Sequence, residues 1–207
     1  MSRSLTASDR SALIKLASSL PKGSPERRTI LAGLTHTKKA SEEFNIPGKH
    51  ILERARVFDN AQVSDNAKIF DRSQVYSRAL VFDNAQVYGE AQVYDDAQVH
   101  GNAKVYDEVS VIGKAVVHGN AQVKGEALVS GNAKVYGKAV VSGRAEISGD
   151  AEVHGDAKVY GNTQVKGKAV VHGNARIGGT AVIFGGVWDG SEGKILSGKW
   201  KSPGVAA

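Results

Sequence analysis

The stretch Ala97-Gln98-Val99-His100-Gly101-Asn102 is one copy of the six-residue unit that determines the fold of this chain. A valine or isoleucine recurs at every sixth position from Val57 to Ile183 without a miss, and Ile51 extends the series backward by one unit. A small residue follows four positions after almost every one of them, as Ala61 follows Val57. A fixed short period of this kind indicates a solenoid.

The unit predicts a very short strand followed by a bend. Side chains alternate across a strand, so Ala97 and Val99 face inward while Gln98 and His100 face outward. Gly101 and Asn102 are residues that favour turns, because both tolerate a positive φ. Three units then close a triangular coil of about 18 residues, and coils stack by parallel pairing about 4.8 Å apart. The series predicts about seven coils and a prism roughly 35 Å long.

The pattern Val99-His100-Gly101-Asn102-Ala103-Lys104 resembles the hexapeptide repeat of left-handed parallel β-helices, and residues 117–122 repeat it. That superfamily includes bacterial acyltransferases and γ-class carbonic anhydrases, which are usually trimers. The resemblance covers residues 51–185 and implies a left-handed winding and a homotrimer. The related carbonic anhydrases place two histidines five residues apart within a coil. No two histidines have that spacing here, so their metal site is not expected.

The sequence predicts three segments: a basic helical arm and linker over residues 1–48, the β-helix over 49–185, and a C-terminal cap or tail over 186–207. Residues 1–50 hold nine Lys/Arg and four Asp/Glu. Apolar residues at helical spacing predict a short helix over 11–20 and a second one after Pro25. The alternatives for the arm are a cap on the coil, a docking segment for a protein partner, a leader that is removed, and an arm that binds DNA or a membrane. Trp188 and Trp200 are expected to cover the other end of the core.

Composition limits the environment and the chemistry. The absence of cysteine excludes disulfides and thiolate metal sites, and it fits a cytoplasmic protein. No apolar run is long enough to span a bilayer.

One outward column, read at intervals of 18 residues, concentrates histidine. It contains His100, His118, Tyr136, His154 and His172, and we expect these rings to stack as a ladder rather than to bind zinc. Accordingly, no metal and no cofactor are predicted. The same face is the most apolar one, which indicates an interface. The predicted interface residues are Leu80, Phe82, Val116, His118, Tyr136 and Val170.

A second outward face mixes basic and aromatic residues, a combination that can hold single-stranded nucleic acid or another polyanion. The candidates are Lys68, Lys104, Tyr106, Lys158 and Arg176, although a solvated face is the favoured interpretation because acids lie at nearby corners. Stacked aspartates such as Asp65 and Asp83 are interpreted as turn formers rather than calcium ligands. Amide hydrogen bonds are expected along Asn66, Asn84, Asn102 and Asn120.

These observations predict a non-catalytic structural or interaction protein, a rigid rod that self-associates or docks a partner. No insertion interrupts the repeat from Val57 to Ile183, and a smooth prism offers few concave pockets. The alternative is a hexapeptide-type acyltransferase that acts as a trimer with a site between subunits. Its general base would be one of His100, His118, His154 and His172. A third hypothesis is a metal-dependent lyase or hydrolase at the same histidines.

Overall fold

The computed structural model describes residues 50–51, 54–202 and 205–206, and they form only strands and turns. This part of the chain therefore contains no helix that is long and apolar enough to cross a membrane. The predicted helical arm over residues 1–48 lies outside the described residues. The strands are β1 (His50–Ile51), β2 (Arg56–Val57), β3 (Gln62–Val63), β4 (Lys68–Ile69), β5 (Gln74–Val75), β6 (Leu80–Val81), β7 (Gln86–Val87), β8 (Gln92–Val93), β9 (Gln98–Val99), β10 (Lys104–Val105), β11 (Ser110–Val111), β12 (Val116–Val117), β13 (Gln122–Val123), β14 (Leu128–Val129), β15 (Lys134–Val135), β16 (Val140–Val141), β17 (Glu146–Ile147), β18 (Glu152–Val153), β19 (Lys158–Val159), β20 (Gln164–Val165), β21 (Val170–Val171), β22 (Arg176–Ile177), β23 (Val182–Ile183), β24 (Val187–Trp188), β25 (Lys194–Ile195), β26 (Lys199–Ser202) and β27 (Val205–Ala206).

Every third strand joins the same sheet, so the chain winds around three parallel sheets. Sheet A has nine strands from β1 to β25, sheet B has ten from β2 to β27, and sheet C has eight from β3 to β24. Val99 pairs with Val117, and Lys104 pairs with Gln122, each across one coil. The sole antiparallel pair among the described strands joins β26 to β27. The predicted parallel solenoid with a rung of about 18 residues is confirmed.

The interior is filled as the repeat predicts, with one aliphatic and one small side chain from each unit. Ala97 and Val99 are fully buried, whereas Gln98 and His100 of the same unit are only partly buried. Two polar residues replace alanine at the inward corner positions. Ser73 Oγ donates to the carbonyl of Phe70 at 2.7 Å, and Thr163 Oγ1 donates to the carbonyl of Tyr160 at 2.7 Å. Both hydroxyls are therefore buried with a partner.

The corners require a left-handed backbone at one residue of each turn. Six of the early turns place aspartate there with φ between 56° and 64°, Ser77 takes the same conformation, and the other turns place glycine there, as at Gly119 with φ 69°. Each early aspartate compensates for the cost of that conformation with a hydrogen bond. Asp83 Oδ2, for example, accepts the N–H of Gly101 from the next coil at 3.0 Å. The same arrangement recurs from Asp59 to Asp107.

The C-terminal segment continues the solenoid by one further coil, although its repeat is irregular. Trp188 pairs with Val171 in sheet C, and Trp200 pairs with Ile183 in sheet B. The structure therefore has about eight turns, where the regular series predicts about seven. Trp188 is buried and its ring meets Trp200 edge to face at 6.1 Å between centroids. The tryptophans cover this end of the core, as predicted.

Candidate functional site

The histidine column lies on the outer side of sheet C as a continuous stack of rings. From Phe82 through His100, His118, Tyr136 and His154 to His172, neighbouring centroids are 4.6 to 5.2 Å apart. The planes of neighbouring rings differ by 3° to 10°. Strand spacing holds aromatic rings at this separation, so the predicted ladder is confirmed.

The geometry of the stack determines what its imidazoles can do. Rings stacked in parallel on successive coils do not converge on one point, whereas tetrahedral zinc needs ligands that converge. The described residues contain no group of three or more His, Cys, Asp or Glu side chains that could hold a metal ion. The nearest carboxylate to His100 belongs to Asp83, with 3.8 Å between Nδ1 and Oδ2. That carboxylate already accepts a turn N–H.

Burial and neighbouring positive charges lower the pKa of two of the stacked histidines. Desolvation lowers the pKa of His118, and the neighbouring charges of His100 and Lys134 lower it further. Desolvation also lowers the pKa of His154, with His172 adding to the effect and Glu152 opposing it. A lowered pKa favours the neutral imidazole, which is the form that a general base requires.

We expect the solenoid to lose stability as pH falls below about 6.5, the ordinary pKa of histidine. Because His118 and His154 have lowered pKa values in the folded state, the unfolded chain binds more protons in that range. Urea unfolding should show a lower midpoint at pH 5.5 than at pH 8. The double variant His118→Tyr, His154→Tyr keeps the stack and should reduce this difference. An unchanged difference would show that other groups cause it.

The predicted interface residues all lie on the outer side of sheet C, but a polar cluster divides them. Leu80 and Val116 are half-buried outward residues in one half of the sheet, and Val170 lies in the other. Between them, Lys134 Nζ donates to Glu152 Oε1 at 3.0 Å, and the Tyr136 hydroxyl donates to Glu152 Oε2 at 3.1 Å. One further apolar residue, which the sequence analysis missed, lies on the end strand of sheet C. Val187 is 56 % exposed and pairs with Val170.

The polyanion candidates are brought together on sheet A. Its strands hold Lys68, Lys104, Lys158 and Arg176 at outward positions, and Tyr106 stacks on Tyr88 with 4.8 Å between centroids. Lys194, which the sequence analysis missed, extends the row. No acidic residue occupies an outward position on, or directly after, the described strands of this sheet. The rings are already stacked on one another, so they offer edges rather than free faces to a nucleic-acid base.

The corner residues contribute to coil stacking. Amide hydrogen bonds of 3.1 to 3.2 Å run from Asn66 through Asn84 and Asn102 to Asn120, as predicted. Asp65 Oδ2 accepts the N–H of Asp83 at 3.3 Å, which agrees with its interpretation as a turn former. A shallow groove at one corner is lined by Arg54, Asp71, Arg72, Gly89 and Glu90. The guanidinium of Arg72 and the carboxylate of Glu90 pair with each other there at 3.0 Å.

Comparison with known proteins supplies no family for this chain, since no family model and no curated protein matches it. Its function is therefore inferred from the residues on the outer sides of its sheets. Sheet C offers an apolar surface with a stacked aromatic column, and sheet A offers a row of cations. Sheet C is the candidate site for contact with another protein.

Proposed function

We propose that this chain is a non-catalytic structural or interaction protein, a rigid rod of stacked coils that self-associates through the outer side of sheet C. One observation carries the proposal. The coils follow one another from Val57 to Ile183 with two-residue strands and tight turns, and no loop leaves the prism. Catalytic and small-molecule sites are usually built on such loops or in concave pockets.

The repeat and the composition support several further parts of this proposal. The resemblance to hexapeptide coils supports a left-handed winding. The amphipathic and basic pattern of residues 1–48 supports a helical arm that attaches the rod to a protein partner. The lack of cysteine supports a cytoplasmic location.

Sheet C is favoured over sheet A as the surface for self-association because of its charge. The outward cations of sheet A have no acids among them, so two copies of that face would repel each other. On sheet C the central charges of Lys134 and Glu152 already neutralise each other. Leu80, Val116 and Val187 add apolar area that is partly or largely exposed in a single chain. Burying this area would favour association.

We expect Val116→Lys to weaken self-association by at least about tenfold, because it places an unpaired charge in the interface. Val140→Lys is a matched control, since Val140 is the outward residue of a sheet A strand with similar burial. In both sheets the next coil already carries a lysine at this position, Lys134 and Lys158, so both variants should fold. Light scattering over a concentration series measures the effect. Equal dissociation constants for the two variants would contradict the assignment of sheet C.

The acyltransferase alternative makes a different prediction that the same preparations can test. An enzyme of that class should be stabilised against heat by an acyl-CoA, and one His→Ala change among His100, His118, His154 and His172 should abolish the stabilisation. The structural role predicts no shift of the melting temperature with acyl-CoA. A shift that depends on a single histidine would replace the proposal made here.

A further inference from the structure

The coils carry opposite net charge in their two halves. Residues 51–125, up to the middle of sheet C, hold eight Lys/Arg and ten Asp/Glu, whereas residues 126–207 hold ten and seven. Because each coil lies about 4.8 Å further along the axis, this difference in sequence is a difference along the rod. The first half is therefore acidic and the second half basic.

We infer that two copies of this chain pair antiparallel through sheet C, with the acidic half of each rod beside the basic half of the other. The inference rests on the proposed self-association and adds the partner's orientation. An antiparallel pair places opposite net charges side by side at both ends. A parallel pair or a parallel trimer places like charges together at both ends, which costs free energy.

The outward residues of sheet C are compatible with this orientation. Leu80 lies on the second strand of the sheet and Val170 on the second from the other end. A twofold axis at the middle of the sheet therefore brings Leu80 of each copy to the level of Val170 in its partner. The same axis brings Phe82 level with His172. A parallel arrangement instead brings Lys134 to the level of Lys134 and Glu152 to the level of Glu152.

The size of the face predicts a dimer that dissociates on dilution. Eight strands at about 4.8 Å and a width of about four residues give on the order of 500 Å² per copy. A total near 1,000 Å² lies at the small end of specific interfaces. The axial charges act across a distance comparable to the Debye length, about 8 Å at physiological salt. An antiparallel pair should therefore weaken as salt is added, whereas a parallel pair should tighten because its like charges are screened.

The absence of cysteine makes the orientation measurable with the full chain. Gln62→Cys and Val187→Cys place single thiols on exposed residues at opposite ends of sheet C, and Gln122→Cys places one on sheet A. Spin labels on these thiols report distances between subunits by electron double resonance. The two ends of sheet C are separated by seven coil spacings, about 34 Å.

For an antiparallel pair, each sheet C variant alone should give a distance near 35 Å, and an equal mixture of the two should add a distance below about 15 Å. Short distances in each variant alone, without a short one in the mixture, would overturn the orientation and leave the proposed self-association intact. A short distance for Gln122→Cys would assign the contact to sheet A and overturn the inference. A chain that light scattering finds monomeric at all concentrations would overturn the proposed function and the inference together.

Discussion

Trp188→Ala is expected to lower the free energy of unfolding of the last coil by about 3–5 kcal/mol, the usual cost of removing a buried tryptophan. The ring takes the inward position next to Val171 and is buried. Its Nε1 donates to the carbonyl of Gly185 at 2.7 Å, and its ring packs edge to face with that of Trp200. Alanine would leave a cavity at the end of the core and a carbonyl without its donor.

Hydrogen exchange measures this effect coil by coil. Each coil of a solenoid contacts only its neighbours, so the loss should be concentrated in β24, β25 and β26 and should fade toward the middle of the rod. Val187→Ala, at the exposed neighbouring position of the same strand, is the control and should change exchange little. Uniform acceleration over all coils would mean that the solenoid unfolds as one unit, and unchanged exchange in the last coil would contradict the role of Trp188.

Gly101→Val should destabilise the protein by about 2–4 kcal/mol, combining backbone strain with overpacking. Gly101 has φ 70°, a conformation that a β-branched residue adopts at high cost. A Cβ at this position would lie 2.9 Å from the backbone nitrogen of Gly119 in the next coil. Asp83 shows that this corner accommodates a Cβ above the next coil at φ 59°, so the added cost for valine comes from its second γ carbon and its restricted backbone.

Gly101→Asp is the matched control and should cost no more than about 1 kcal/mol, because a new hydrogen bond offsets the strain. Asp83 occupies the same corner one coil earlier with φ 59°, and its Oδ2 accepts the N–H of Gly101 at 3.0 Å. An aspartate at 101 would present its carboxylate to the N–H of Gly119 in the same way. Urea unfolding compares the two variants. An aspartate as costly as the valine would refute the stabilising role of these carboxylates.

The architecture could be predicted from sequence because each unit encodes its own local structure. Alternation places Ala97 and Val99 inside, the turn residues Gly101 and Asn102 follow at once, and three equal sides close a coil. Counting in intervals of 18 residues then places side chains above one another. The imidazole ladder and the asparagine hydrogen bonds follow from this register alone, since strand spacing sets the separation of stacked groups.

The last coil and the details of the faces depend on contacts that periodicity does not encode. After Ile183 the interval changes, so counting could not assign Val187 to sheet C or Lys194 to sheet A. The glycines of the tail are the sequence signal that remains for its turns, because Gly186, Gly190, Gly193 and Gly198 all have positive φ. The Lys134–Glu152 pair, which divides the apolar surface, depends on side-chain rotamers.

The regular rung also determines how this chain can change in length. Removing residues 109–126 would join Glu108 to Ala127, which lies directly above Val109, and every later residue would keep its sheet. Removing only residues 109–114 would carry Val116 from sheet C to the place of Ser110 in sheet B. Every later residue would likewise move to the neighbouring sheet. Insertions and deletions of whole coils therefore change the length of the solenoid and keep every residue on its own face. Insertions and deletions of single units move all later residues to the neighbouring face.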